Sequence, residues 1–157
     1  MHDEGSFAEA GDPLGRALRV QEQAASLNFD WPDPRGALQK LEEEARELQA
    51  LLEAGAPPDA ASVRAMEDEV GDLLFAAVNI ARLCRIRPQS ALTAATGKFE
   101  RRFSELLSRA SRLGLDTRSA SLEELDVLWE SVKHDERIQE ARDRPADDAG
   151  AGQGDEF

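Results

Sequence analysis

Proline draws the outline of this chain. The stretches N28-FDWPDP-34, G55-APPD-59 and R85-IRP-88 each halt regular structure. A proline ring removes a backbone donor, clashes with the preceding turn and restricts the residue before it. Between these interruptions apolar residues recur at helical spacing, and no run alternates with a two-residue period. Five helices are expected: Leu14–Leu27, Asp33–Ala54, Asp59–Arg85, Pro88–Arg112 and Ser121–Glu136. Asp33 and Asp59 suit N-caps, and Pro34 suits a first helical position. Ser121 with Glu124 forms a capping box, and Gly114 suits a helix C-terminus. Short links between such helices imply an all-α fold, a bundle of about four to five helices. The expected domain covers residues 14–137, between a flexible segment (1–13) and a disordered tail (138–157) poor in apolar residues.

Charge and composition exclude several classes of function. The 157 residues carry 19 basic and 32 acidic side chains, a net charge of -13. Non-specific nucleic-acid binding needs a basic footprint, so no nucleic-acid partner is expected. No run approaches the ~20 apolar residues of a membrane span, so no membrane partner is expected. The start, MHDEGSFAEAG, lacks the basic and apolar regions of a secretory leader. The single cysteine, Cys84, lies in an apolar run and reads as a buried, inert thiol; with no internal disulfide open to it, a reducing cytoplasm is the simplest setting. The third helix is apolar on more than one side, through Val70, Leu73, Leu74, Phe75, Ala77, Val78, Ile80, Ala81 and Leu83. A helix of that kind is buried on several faces, which in a small chain implies a homodimer or a higher oligomer.

Acids stand beside the residues that must form the core. In K40-LEEEARELQ-A50, a helical wheel sets Leu38, Leu41, Ala45, Leu48 and Leu52 on a core stripe. Lys40, Glu44 and Glu47 cluster on one flank of it, with Glu43 a little further round and Glu42 on the opposite flank. In the third helix, whose apolar centre is Val70, Leu73 and Ala77, Glu69 and Asp72 share a flank with small Ala76 and with Asn79. Antiparallel packing of the two helices brings Glu44, Glu47, Glu69 and Asp72 face to face. Each acid run alone reads as solvated helix surface. Together, with Glu69 and Asp72 inside an apolar helix, they need a partner, because an unpaired buried charge is costly. All-oxygen ligands suit Mg²⁺, or Mn²⁺, rather than zinc. His2 and His134 read as solvated surface residues.

The basic and aromatic residues come later in the chain. K98-FERRF-103 sets Lys98 and Arg102 one turn apart, where they could hold phosphates, while Phe99 and Phe103 point into the core and Arg101 points away. Surface pairing of these cations with Glu100 or Glu105 is the plainer alternative. In L125-DVLWESVK-133, Trp129 could stack on a base with Lys133 near sugar or phosphate. The plainer alternative places Trp129 in the core with Leu125 and Val132.

These blocks resemble, in order, the MazG family of nucleoside triphosphate pyrophosphohydrolases, and in particular the second of the two domains of full-length bacterial MazG. The resemblance runs from Leu14 to Glu136. It is carried by FDWPD at Phe29–Asp33, by K-x-x-E-E-x-x-E at Lys40, Glu43, Glu44 and Glu47, and by D-E-V-G-D-L-L-F at Asp68–Phe75. KFERRF at Lys98–Phe103 and L-D-x-L-W-E-x-x-K in the last helix complete it. It implies Mg²⁺-dependent cleavage of (d)NTPs to the monophosphate and pyrophosphate by a helical dimer. It further implies Glu44, Glu47, Glu69 and Asp72 as metal ligands, with Glu43 assisting a ligand or positioning water; these five are the expected catalytic residues. Lys40 to Glu44, Asp72 and Lys98 to Arg102, Arg101 included, would line the triphosphate site. Trp129 would contact the nucleoside, with Lys133 close. Thr96 departs from the pattern, since relatives often carry Asn there. Two rivals remain: a non-catalytic helical dimer that binds nucleotide or protein partners, and a di-iron protein, which the absence of Glu-x-x-His pairs disfavours.

Overall fold

A computed structural model describes residues 12–54 and 59–143. Five helices occupy them, with no strand among the described residues: α1 (Pro13–Ser26), α2 (Pro34–Glu53), α3 (Ala60–Leu83), α4 (Pro88–Arg112) and α5 (Leu122–Asp143). The fold is all-α, as expected. Residues 1–11 of the expected flexible segment, with His2, lie outside the described residues. So do residues 55–58 of the second proline turn and residues 144–157 of the expected tail. The last helix passes its expected end at Glu136 and continues to Asp143, so residues 138–143 are helical and not tail.

Side-chain caps fix where the helices begin. The Gly15 amide donates to Asp12 Oδ1 at 3.0 Å, the Arg35 amide to Asp33 Oδ1 at 2.7 Å, and the Ser62 amide to Asp59 Oδ1 at 2.8 Å. Each satisfies a first-turn N–H that has no intrahelical acceptor. At α5 the capping box closes both ways: the Ser121 amide donates to Glu124 Oε2 at 2.8 Å, and the Glu124 amide to Ser121 Oγ at 3.2 Å. Three helix ends share one device. Asn28 (φ 62), Arg85 (φ 59) and Gly114 (φ 69) turn left-handed. The next amide then reaches back to the last turn: Phe29 to Ala24 O, Ile86 to Ala81 O and Leu115 to Ala110 O. These are Schellman caps, and only the third has the glycine that signals one in sequence.

The chain divides into two compact units, residues 1–94 and 95–157, with the division inside α4. In the first unit α3 packs along α2 and against α1. The faces that meet differ from the expected stripes. On α2 the buried residues are Ala37 and Glu44, while Leu38 and Leu52 are exposed. On α3 they are Ala76 and Val78, while Val70 and Leu74 are exposed. Both helices are turned about their axes, so the acid-bearing flanks meet and the bulkier apolar ridges face outward. Small residues at 37 and 76 make the close approach possible. Cys84 caps α3 and is exposed, which corrects the buried-thiol expectation.

The second unit is held by Leu106 and Ala110 of α4 against Leu128 and Val132 of α5, with Leu115, Leu125 and Trp129 packed around them. Phe99 and Phe103 are not core residues. They stack on one another with ring centroids 5.8 Å apart and stay about half exposed, and Phe99 also meets Trp129 at 5.3 Å.

Candidate active site

The acids meet where α2 and α3 cross. Glu44 projects from the middle of α2 and is only 3 % exposed. Lys40, one turn before it, forms an ion pair with it and a longer one with Glu43, at 3.4 Å. Glu47 is one turn further on, at the exposed edge, and Glu69 reaches in from α3, half-buried. One carboxylate oxygen from each of Glu44, Glu47 and Glu69 lies within 4.8 Å of the other two. Asp72 stands outside this trio, one turn along α3 and exposed, yet near enough for its charge to bear on Glu69.

Electrostatics separates the two interior acids. The hydrogen bond from Lys40 holds the Glu44 carboxyl below its ordinary value, outweighing its desolvation. The same contact holds the Lys40 ammonium above its ordinary value. Glu69 goes the other way. Loss of water raises it first, followed by its hydrogen bond with Glu44 and the charges of Glu47, Glu44 and Asp72. Glu69 Oε2 is buried with no hydrogen-bond partner. An acid pushed towards protonation, with an orphaned oxygen, at the centre of a carboxylate trio is a site short of positive charge. A hard divalent cation such as Mg²⁺ fits that donor set of oxygens.

A cavity of about 640 Å³ opens beside the trio. Lys40, Glu44 and Asp72 form its near wall. Its far wall is the break between α1 and α2, with Phe29, Asp30 and Trp31, together with Asn79 and Arg82 of α3. Arg82 is tied down there. Its Nη1 donates to Asp30 Oδ2 at 3.0 Å, its Nη2 pairs with Asp30 Oδ1, and Nε and Nη2 both donate to Asn79 Oδ1, at 3.1 and 2.7 Å. The pairing holds the Asp30 carboxyl below its ordinary value. Gln21 and Arg82 also line this space, and no motif points to them; Asn79 and Phe75, which line it too, stand on the acid flank and in the D-E-V-G-D-L-L-F block read from the sequence. FDWPD reads in sequence as a helix break and as one block of the family resemblance, and three of its residues, Phe29, Asp30 and Trp31, line the cavity.

The basic and aromatic residues expected at the site belong to the second unit. Arg102 Nε pairs with Glu136 at 2.5 Å, rather than with Glu100 or Glu105. Lys133 pairs with Glu130 at 2.5 Å. Lys98 and Arg101 are exposed and, among the described residues, form no ion pair. Trp129 is half-buried against the Leu128–Val132 cluster.

Residues 33–106, which contain Glu43, Glu44, Glu47, Glu69 and Asp72, match the MazG nucleotide pyrophosphohydrolase domain. The chain is 40 % identical over 120 residues to the nucleoside triphosphate pyrophosphohydrolase/pyrophosphatase MazG of Thermotoga maritima. It is 38 % identical over 124 residues to the nucleoside triphosphate pyrophosphohydrolase of Escherichia coli K12. This part of the chain belongs to the MazG family. These matches take in 76 % and 78 % of this chain but 44 % and 45 % of the two relatives, so it spans a little under half their length. The uncharacterized protein YabN of Bacillus subtilis shares 44 % identity over 72 residues, 46 % of this chain and 15 % of YabN. The residues matched by the MazG domain end in α4, and α5 lies beyond them.

Proposed function

We propose that the protein hydrolyses (deoxy)nucleoside triphosphates to the nucleoside monophosphate and pyrophosphate, with Mg²⁺ as the metal and Mn²⁺ as a substitute. The observation that carries this reading is the trio of Glu44, Glu47 and Glu69 around a buried, unpartnered carboxylate oxygen. A solvated acidic surface leaves no such orphan, and membership of the family supplies the reaction class. Glu44, Glu47, Glu69 and Asp72 would hold the metal. When bound, it would offset the charge of the triphosphate, which a chain of net charge -13 would otherwise repel, and make a bound water more acidic.

The other roles fall to the protein's own side chains. Lys40 holds Glu44 ionised, so one carboxylate is charged before any cation arrives. Glu43, on the solvent side of Lys40, positions the attacking water. Water attacks the α-phosphorus, the bond to the α–β bridging oxygen breaks, and pyrophosphate leaves with the electron pair. The resemblance assigns Lys98, Arg101 and Arg102 to the triphosphate site, where Lys98 and Arg102 would stabilise charge on that leaving group. The resemblance assigns the nucleoside to Trp129 and Lys133. The exposed ridge of Val63, Val70, Leu74 and Phe75 on α3 supports a second copy of the chain as partner, since apolar ridges of this kind mark interaction surfaces.

The test is product analysis. The full chain is incubated with each common NTP and dNTP in Mg²⁺, and the products are separated by ion exchange. Monophosphate with pyrophosphate is expected. If no nucleotide is turned over in Mg²⁺ or Mn²⁺, the non-catalytic binding reading takes its place.

A further inference from the structure

We infer that Glu136 is a positioning residue for Arg102: its carboxylate takes the Nε–H of that side chain, so that Nη1 and Nη2 are presented together to the departing pyrophosphate. The inference rests on the assignment of Arg102 to the phosphates, and it adds a residue from α5, beyond the matched stretch that ends at residue 106. It begins from the seam of the second unit. Residues 102, 106 and 110 lie one turn apart on α4, as do residues 128, 132 and 136 on α5. Leu106 and Ala110 meet Leu128 and Val132 in the core. Arg102 and Glu136 continue that seam by one turn, with Nε and Oε2 2.5 Å apart. Both side chains are largely shielded, at 22 % and 25 % exposure. A second bridge holds the same two helices in register, from Arg109 Nη1 to Ser131 Oγ at 2.6 Å and to Asp135 Oδ2 at 2.9 Å.

What the pairing leaves free is particular to a guanidinium. Its N–H donors lie in one plane, one on Nε and the rest on the two terminal nitrogens. Glu136 takes the Nε donor, and among the described residues Arg102 has no other hydrogen-bond or ion-pair partner. The end edge, Nη1 with Nη2, stays open, and its fork matches two oxygens of one phosphate. A lysine at this position would have to choose between the carboxylate and the phosphate. Lys98 and Arg101, the other cations assigned to the phosphates, are exposed and form no ion pair among the described residues. Each must be ordered when the substrate arrives, which costs side-chain entropy. Arg102 is ordered beforehand by α5. Glu136 offsets part of its charge, so the contact sets where that charge acts and does not add to it. A fixed donor pair stabilises a leaving group without reorganising at the moment of reaction.

The test is a double-mutant cycle read on pyrophosphate binding, which needs no turnover. The full chain in Mg²⁺ is titrated with pyrophosphate by calorimetry, and circular dichroism checks that each variant folds. Glu136→Ala and Arg102→Ala should each weaken binding about tenfold, the scale of a misplaced contact. The double variant should bind no more weakly than Arg102→Ala, because Glu136 acts only through that side chain. Glu136→Gln keeps an oxygen for Nε–H and should stay within about threefold of the parent. If Glu136→Ala does not fold, Glu136→Asp draws the carboxylate back by one methylene and takes its place in the cycle. The inference is overturned if Glu136→Ala binds pyrophosphate as the parent does, or more tightly. It is equally overturned if that substitution costs as much in the Arg102→Ala background as in the parent, if Glu136→Gln loses as much as Glu136→Ala, or if the parent binds no pyrophosphate. Triphosphate cleavage with an additive cycle sinks the positioning role alone. A non-additive cycle without cleavage sinks the hydrolysis alone.

Discussion

Replacing Glu69 by glutamine should make the metal-free protein more stable while removing most of its response to metal. Glu69 is raised by desolvation and by three neighbouring acids, so its charged form is a strain on the native state. Glutamine keeps the shape and removes the charge. The gain depends on pH in a definite sense. Below the ordinary glutamate value Glu69 is protonated whether folded or not, and the two proteins match. As pH rises past that value, the unfolded chain gives up a proton that the native state retains, and parent stability falls until Glu69 ionises in the fold. The Glu69→Gln variant has no such slope, so the gap widens with pH and then levels off. Metal response runs the other way. A cation at a hundred times its dissociation constant stabilises the native state by about 2.7 kcal/mol, or roughly 5–10 °C in Tm at this chain length. Losing one ligand from a trio, taken as a ~100-fold loss of affinity, leaves about 0.4 kcal/mol, roughly 1 °C. Thermal melts across pH 5–8 with EDTA or Mg²⁺ measure both effects, with Glu42→Gln on the opposite flank as control. A Glu69→Gln protein that melts lower without metal, or keeps the full Mg²⁺ shift, would refute the assignment.

Three further outcomes follow from the same geometry. Glu44→Gln and Asp72→Asn should each lower the hydrolysis rate at least ~100-fold in steady-state assays, as expected for lost ligand charge, and full activity in either would undo its assignment as a ligand. At Gly36→Ala the new Cβ would overlap the Trp31 ring, which also lies 3.1 Å from it at two further atoms. The ring must move from the cavity mouth, so KM should rise several-fold with kcat little changed, even though alanine favours the helix by ~1 kcal/mol. Leu128→Ala empties the small core of the second unit and should cost about 2–5 kcal/mol, read as a lowered denaturant midpoint.

The helices are legible in the sequence because prolines and caps are local signals. Asp33, Asp59 and the Ser121–Glu124 box each cap where expected. The end of α5 is not legible, since nothing in R137-IQEARD-143 stops a helix. Which face of α2 turns inward escapes the helical wheel for a physical reason. A wheel counts leucines, whereas the interface is set by how closely Ala37 and Ala76 let two helices approach. That brings Glu44 to the centre and leaves Leu38 outside. The acids that meet are readable from their spacing, and three of the expected four form the tight cluster. The cavity is not readable. Gln21 and Arg82 come from helices α1 and α3, which only tertiary packing brings together, and no local pattern marks them, whereas Asn79 is marked by the flank it shares with Glu69 and Asp72.

The most direct test of the central claim is a turnover in water enriched in ¹⁸O, with Mg²⁺ and a triphosphate the protein accepts, followed by mass analysis of both products. Monophosphate carrying one ¹⁸O beside unlabelled pyrophosphate is the result expected for attack of water at the α-phosphorus. Diphosphate with labelled orthophosphate would place the attack at the far end of the chain and contradict the account.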